Sequence, residues 1–245
     1  MFFKMFGNNI NKGYCCICED QTNFVIYDPW LRDNYKCMKC GTIPRHRALV
    51  NALNKFTPEW MTSLVHEGSP HGEFSKFLKR SCKDYSSSHF YSDISRGGYK
   101  GDISSQDLSS MTFPDASFDI FLTSDVFEHI YHAERAFGEI ARVLKPGGAH
   151  IFTIPWYPQL PKTAQRVRLL PDGSEEYVLP PDYHGNPIGD NRSIVTFDYG
   201  SDIGDLIFRN GGMGTTVYLE IDRKKGLDGD FLEVFVSRKP LLINC

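Results

Sequence analysis

From Met61 onward, short β-forming runs alternate with stretches of helical period, the pattern of an α/β sheet. MTSLVH at 61–66 reads as a first strand, and beyond it Phe74, Phe77 and Leu78 share one helix face. HFYSDI at 89–94 is expected as a second strand, with a short third near 99–103. SFDIFLTSD at 117–125 has the continuous apolar character of a buried strand. The clearest helix follows: Ala133, Ala136, Phe137, Ile140, Ala141 and Leu144 recur at three- and four-residue steps, one full apolar stripe. Lys145-Pro146-Gly147-Gly148 ends that stripe, and AHIFTIP at 149–155 is the next strand. Ile203, Leu206 and Ile207 then predict a helix stopped by Gly211-Gly212. TTVYLEI (215–221) and FLEVFVS (231–237) predict an antiparallel hairpin that closes the sheet.

The region before Met61 has a different character. Five of the seven cysteines fall within the first 40 residues, as Cys15-Cys16-Ile17-Cys18 and Cys37-Met38-Lys39-Cys40. Two C-x2-C turns can present four thiolates to one ion, and a tetrahedral all-sulfur set suits zinc. Cys15, Cys18, Cys37 and Cys40 are the expected ligands, with Cys16 outside the set. Four protein ligands leave no open position, so the zinc is expected to be structural. After the second pair, Pro44 opens an amphipathic helix carrying Ala48, Leu49, Ala52, Leu53 and Phe56. Its apolar face suits docking on the main domain. The neighbouring Lys36, Lys39, Arg45, His46 and Arg47 leave open a nucleic-acid-binding ribbon. The expected organisation is a zinc-binding module and connecting helix over 1–57 and a main domain over 58–245.

Composition changes this picture little. The chain has 245 residues, 41% of them hydrophobic, which accommodates one sizeable core plus a small module. A formal net charge of −3 provides no global field for nucleic acid. No window reads as a membrane span, and Lys4 interrupts the apolar opening where a signal sequence would need an uninterrupted run. The expected compartment is therefore the reducing cytoplasm, where cysteines clustered in pairs point to metal rather than to disulfides.

The blocks DLSSMTFPDASFDIFLTSDVFEHI (107–130) and AFGEIARVLKPGGAHIFTIP (136–155) resemble the fourth- and fifth-strand regions of class I S-adenosylmethionine-dependent methyltransferases of the type 11 kind. The resemblance covers most of 61–239. It implies a Rossmann-like, seven-stranded sheet beside the zinc-ribbon module, and S-adenosylmethionine as cofactor. Glu67, Gly68, Ser69 and Gly72 match the family's glycine-rich first loop, although Ser69-Pro70-His71 departs from its usual spacing. Asp93 matches the acid that accepts from the ribose hydroxyls, with Asp84 as competitor. Asp107 and the Leu108 amide match the adenine contacts, and Ser124 and Asp125 end the fourth strand, where open α/β sheets place ligands.

The acceptor side rests on residues after that strand and on a long insertion. His129 and His184 are the candidates for removing a hydroxyl proton, because histidine titrates near neutral pH. Residues 156–198 are too long for a simple connection, which marks a substrate-binding insertion. Within it RVRLL-PDGS-EEYVL predicts a hairpin. Glu128, Trp156, Tyr157, Tyr183, Asn186 and Arg192 are expected to line a polar pocket. Aromatics with amides and histidine suit a sugar, and the module with its YHGNP loop is similar to bacterial methyltransferases of glycan assembly. O-methylation of a sugar, glycan or other small polar acceptor is the leading expectation. The alternatives are an RNA methyltransferase gripping substrate through the ribbon, and a non-catalytic binding module.

Overall fold

A computed structural model describes residues 9–185 and 192–241. The N-terminal region is a three-stranded antiparallel sheet of β1 (Ile10–Cys15), β2 (Asp20–Ile26) and β3 (Tyr35–Cys37), with the single turn α1 (Leu31–Asn34) between the last two. The two cysteine turns meet at one end of it. Cys15 and Cys40 sulfurs lie 3.8 Å apart, Cys18 and Cys37 sulfurs 3.6 Å, and all four fall within 4.8 Å of one another. Sulfurs bound to a tetrahedral zinc at 2.3 Å would stand about 3.8 Å apart, so the thiol set fits that ion. Cys16 points elsewhere, toward the Arg47 carbonyl.

Helix α2 (Pro44–Phe56) starts at a proline, whose missing N–H costs nothing in a first turn. Its Ala48, Leu49, Ala52 and Leu53 are buried and pack on the main sheet, so one hydrophobic core runs from Phe24 and Tyr35 through α2 to Val65, Ile120, Ile151 and Val234. The charged residues of its first turn face inward too. Arg47 is fully buried, donating to the carbonyls of Tyr35, Thr42 and Gly226, with its guanidinium over the Phe24 ring. His46 stacks on Phe74 at 5.2 Å. At Gly13, a Cβ would lie 2.0 Å from the Lys224 carbonyl oxygen, so backbone meets backbone where β1 packs on the far C-terminal loop. The N-terminal region is thus fastened to the main domain along its length.

The main sheet is built from β4 (Leu64–Gly68), α3 (Gly72–Ser81), β5 (Asp84–His89), β6 (Tyr99–Lys100), β7 (Ile103–Ser105), β8 (Phe118–Ser124), α4 (Ala133–Val143) and β9 (Leu144–Thr153). Within 156–198 come β10 (Ala164–Gln165), β11 (Val167–Leu169), β12 (Glu175–Tyr177), β13 (Tyr183–Gly185), β14 (Arg192–Ile194) and β15 (Phe197–Asp198). Then α5 (Ile203–Gly211), β16 (Gly214–Tyr218) and β17 (Val234–Arg238) complete the chain. The sheet order is β16-β17-β9-β8-β4-β5-β7-β6: a parallel centre, the expected antiparallel β16–β17 hairpin at one edge, and the two-residue β6 as an eighth strand at the other. Its Rossmann-like α/β character is the one expected.

Three elements differ from expectation. The first strand occupies 64–68 rather than 61–66, because 60–62 closes a single tight helical turn before it. The second strand occupies 84–89 rather than 89–94. DYSSSH is poor in apolar residues, but it pairs in parallel with β4, and the buried His66 of β4 is held between the hydroxyls of Ser86 and Ser88 at 2.8 and 2.9 Å. Satisfying that imidazole fixes the register. The fifth strand begins at Leu144, not 149, because Phe118 pairs with Leu144 before a register shift absorbs the proline–glycine stretch. The 156–198 insertion folds as small antiparallel pairs, β10–β15, β11–β12 and β13–β14, with the Pro-Asp-Gly hairpin where it was expected. No helix of the described residues is long and apolar enough to cross a membrane.

Candidate active site

A cleft of about 1160 Å³ lies at the carboxyl ends of β4, β5, β8 and β9, with the insertion on one side and the N-terminal region on another. This is where an open α/β sheet leaves room for a ligand. One half is lined by Ser69, Pro70 and His71 after β4, Ser88, His89 and Phe90 at the end of β5, Gln106 to Ser109, and Ser124. Ser69 takes a left-handed backbone, φ 65°, unusual without glycine. Glu67 does not face the cleft: its buried carboxylate accepts from Ser75 Oγ at 2.8 Å and from the Tyr85 hydroxyl at 2.5 Å. Ser75 Oγ in turn accepts from the His71 amide. Glu67 therefore positions the 69–71 loop from beneath, and burial pushes its pKa up to about 7 despite those two donors.

Gly68 lies under the loop, where a Cβ would come within 3.2 Å of Thr123 and 3.5 Å of Leu108. Gly72 opens α3 with φ 67°. Neither lines the cleft. Asp107 does, with Oδ1 accepting from the Ser109 amide and hydroxyl in a tight turn, and Leu108 is beside it. Asp93 is exposed, four residues past the end of β5 and outside the cleft lining, and Asp84 stands at the opposite, N-terminal end of that strand.

Asp125 holds the centre, and its surroundings were not foreseen. Arg32, only 3% exposed, donates from Nη2 to both Asp125 oxygens at 2.7 and 2.6 Å. Arg45 Nη1 adds a third contact at 2.6 Å and bridges to Asp33 at 3.1 Å, while Thr153 Oγ1 donates at 2.8 Å. Burial alone would raise the Asp125 pKa, but the two guanidinium charges outweigh it and hold the carboxyl below its ordinary value. Asp125 is therefore a junction, committed to the N-terminal region, and not a free cofactor ligand. Its backbone is also left-handed, φ 52°, as is that of Phe231, φ 53°. Ser69, Asp125 and Phe231, three of the five non-glycine residues with positive φ among those described, all line this cleft; such concentrated strain marks functional sites.

The other half carries Glu128, His129, Tyr131, Tyr157, Leu169, His184, Ser193 and an aromatic rim. Phe231 lies 6.3 Å from Trp30 and 5.3 Å from Tyr157, ring centre to ring centre. Glu128 is 1% exposed, with both carboxylate oxygens lacking a hydrogen-bond partner. His129 Nε2 lies 3.9 Å and His184 Nδ1 3.8 Å from its Oε1. The carboxylate raises the His184 pKa, against the opposing effect of burial.

Of the expected pocket residues, Glu128, Tyr157 and both histidines meet here. Trp156 does not: its indole N–H donates to the Gly200 carbonyl and its ring packs edge-on against Phe235. Tyr183 is exposed with the Arg192 guanidinium 4.0 Å above its ring, and neither lines the cleft. Asn186 lies outside the described residues. Sequence reasoning missed Trp30, Arg32 and Asp33 altogether, since nothing in DPWLRDN distinguishes a site loop from a surface loop. It weighed Arg45 only as a nucleic-acid contact.

Residues 68–152 match the family model described as a methyltransferase domain. Among solved structures, an S-adenosylmethionine-dependent methyltransferase from Mesorhizobium loti is similar with a TM-score of 0.50 at 16% identity, covering 78% of this chain and 98% of that one. The YcgJ protein from Bacillus subtilis gives 0.49 at 12%, covering 80% and 99%. The 1,6-didemethyltoxoflavin-N1-methyltransferase from Burkholderia thailandensis gives 0.46 at 13%, covering 80% and 78%. At these identities the likeness is one of fold. No curated protein matches the chain.

Proposed function

Starting from a chain that is a class I S-adenosylmethionine-dependent methyltransferase, we propose that it methylates a hydroxyl of a sugar, glycan or other small polar acceptor. The observation that carries this reading is the makeup of the second half of the cleft. An aromatic rim of Trp30, Tyr157 and Phe231 offers flat faces to a ring-shaped acceptor, and His129 and His184, backed by the buried Glu128, offer polar atoms to its hydroxyls.

The cofactor half suits S-adenosylmethionine. The Ser69–His71 loop and Ser124 would take the methionine part, the Ser88–Phe90 strand end the ribose, and Asp107 with the Leu108 amide the adenine. Bound there, the cofactor supplies a methyl group on a sulfonium, an electrophile that needs only an oxygen held in line with it. The protein's contribution is to hold that oxygen and take its proton. Holding two reactants in line accounts for much of the barrier reduction in such transfers. His129 and His184 are the catalytic candidates, and the Glu128–His129–His184 group as a whole receives the hydroxyl proton.

Zinc on Cys15, Cys18, Cys37 and Cys40 is part of the reading, with a structural role: it would fold the segment that delivers Trp30, Arg32 and Asp33 to the cleft. Reduced thiols in this set suit the cytoplasm. An RNA substrate gripped by the ribbon is less well supported, because Arg45, His46 and Arg47 are spent on Asp125, Phe74 and buried carbonyls and do not form a basic face.

The test is calorimetric titration with S-adenosylhomocysteine of wild type and Asp107→Ala, followed by transfer of labelled methyl to a panel of sugars. One-to-one binding weakened at least tenfold by the substitution, with label entering a hydroxylated acceptor, supports the reading. Folded, zinc-loaded protein that binds no S-adenosylhomocysteine overturns it.

A further inference from the structure

The Glu128 carboxylate combines two properties seldom found together. Its side chain is 1% exposed, and neither oxygen has a hydrogen-bond partner. A buried carboxylate left in this state loses its hydration without replacement, an unfavourable condition that a ligand would relieve. Its main chain is fixed in place: the Glu128 carbonyl accepts from both the amide and the hydroxyl of Thr196.

The two imidazoles beside it are arranged for something other than a hydrogen bond. His129 Nδ1 lies 2.8 Å from the Ile194 carbonyl oxygen, which can only accept, so Nδ1 carries the proton. In the neutral ring Nε2 then holds a lone pair, and it points toward Glu128 Oε1 from 3.9 Å. In that form two acceptors face each other, and a shared cation would satisfy both. Backbone anchoring of one ring nitrogen so that the other is free is also how metal-binding histidines are oriented. His184 Nδ1 approaches the same oxygen from the insertion at 3.8 Å, its ring at 89° to that of His129. All three ligand atoms lie within 4.8 Å of one another; the three residues line the cleft, His129 and His184 in part exposed to it and the Glu128 oxygens buried behind them. Donors that share a cation at about 2.1 Å stand about 3.0–3.4 Å apart, so each imidazole would move about half an ångström or more toward the carboxylate, and the two imidazoles toward each other by at most about 1.8 Å.

We propose that Glu128, His129 and His184 form a second metal site, for a divalent first-row cation such as Zn²⁺, Co²⁺ or Mn²⁺, at the acceptor end of the cleft. Two nitrogens and one carboxylate suit such borderline ions. Three protein ligands leave positions open toward the cleft, the mark of a site that also binds substrate. Its purpose rests on the methyl-transfer reading: a cation there would hold and polarise the acceptor hydroxyl, the O–H proton passing to the second Glu128 oxygen while the O–CH3 bond forms, the S–CH3 bond of the cofactor breaks and S-adenosylhomocysteine leaves with the electron pair. The site would also tie the insertion, through His184 on β13, to the end of the main sheet, through Glu128 and His129 just past β8.

The probe is Co²⁺ added to protein whose four-cysteine site already holds zinc, followed by calorimetry and by the weak visible bands of a nitrogen–oxygen site. We expect one further ion per chain, an affinity at least tenfold lower in Glu128→Gln and in His184→Ala, and slower proteolysis of 156–198 when the ion is bound. Folding of the variants is checked by far-ultraviolet circular dichroism and by S-adenosylhomocysteine binding. That binding also separates the two readings, since it tests the methyltransferase site without the acceptor end. Zinc-loaded wild type that takes up no second ion, or a Glu128→Gln variant that binds it as tightly, overturns the proposal.

Discussion

Replacing Arg32 with methionine tests whether the N-terminal region is a working part of the site. Arg32 is 3% exposed, and its Nη2 alone donates to both Asp125 oxygens. Methionine keeps much of the packing volume but removes the charge and every donor. Removing one partner of a buried pair costs about 3–5 kcal/mol, because the other charge stays behind without compensation. Here Asp125 keeps Arg45 and Thr153, and 15% of its side chain faces the cleft, which places the loss at the low end, about 3 kcal/mol. For a chain of this size that corresponds to a fall in Tm of about 6–12 °C. The pair's pH dependence has a defined sign: with the folded pKa held below the ordinary 3.8, its stabilisation is present at neutral pH and fades only as pH falls below that value. Denaturant unfolding of zinc-loaded wild type, Arg32→Met, Asp125→Asn and the double variant at neutral pH measures the coupling. We expect the double variant to be more stable than the sum of the single effects by about 2 kcal/mol. An Arg32→Met variant within 0.5 kcal/mol of wild type, or simple additivity, would refute the clamp.

Three further outcomes follow from the same geometry. Glu67 is an acid with a raised folded pKa, about 7, so its ionisation costs stability as pH rises from about 4.5 to 7; urea unfolding should show wild type losing about 2–3 kcal/mol across that window and Glu67→Gln nearly none, and parallel slopes would contradict it. Stripping the four-cysteine site with a thiol-directed chelator should release Arg32 and Arg45 from Asp125 and lower S-adenosylhomocysteine affinity at least tenfold by calorimetry, whereas unchanged affinity would show the region to be dispensable. Gly68→Ala should destabilise by about 1–2 kcal/mol in denaturant titration, because its Cβ would press on Thr123 at 3.2 Å inside a packed core; a neutral result would mean that the loop yields.

Those tests bear mostly on contacts between segments distant in the chain, the part of the molecule least visible in its sequence. Local pattern by itself determined the stripe of α4, the buried run of β8, the closing hairpin and the four-cysteine set, because burial periodicity and ligand spacing are written in neighbouring residues. Tertiary structure alone decided the register of β5, whose serines matter only because His66 of another strand needs partners. It also turned Asp125 from a free carboxylate into the anchor for Arg32, 93 residues away, and withdrew Trp156, Tyr183 and Arg192 from a pocket whose composition suggested them. Residue type and spacing along one segment report which face is buried and which chemistry is on offer. The partner across a cleft is set by how separate segments pack, and no local pattern records it.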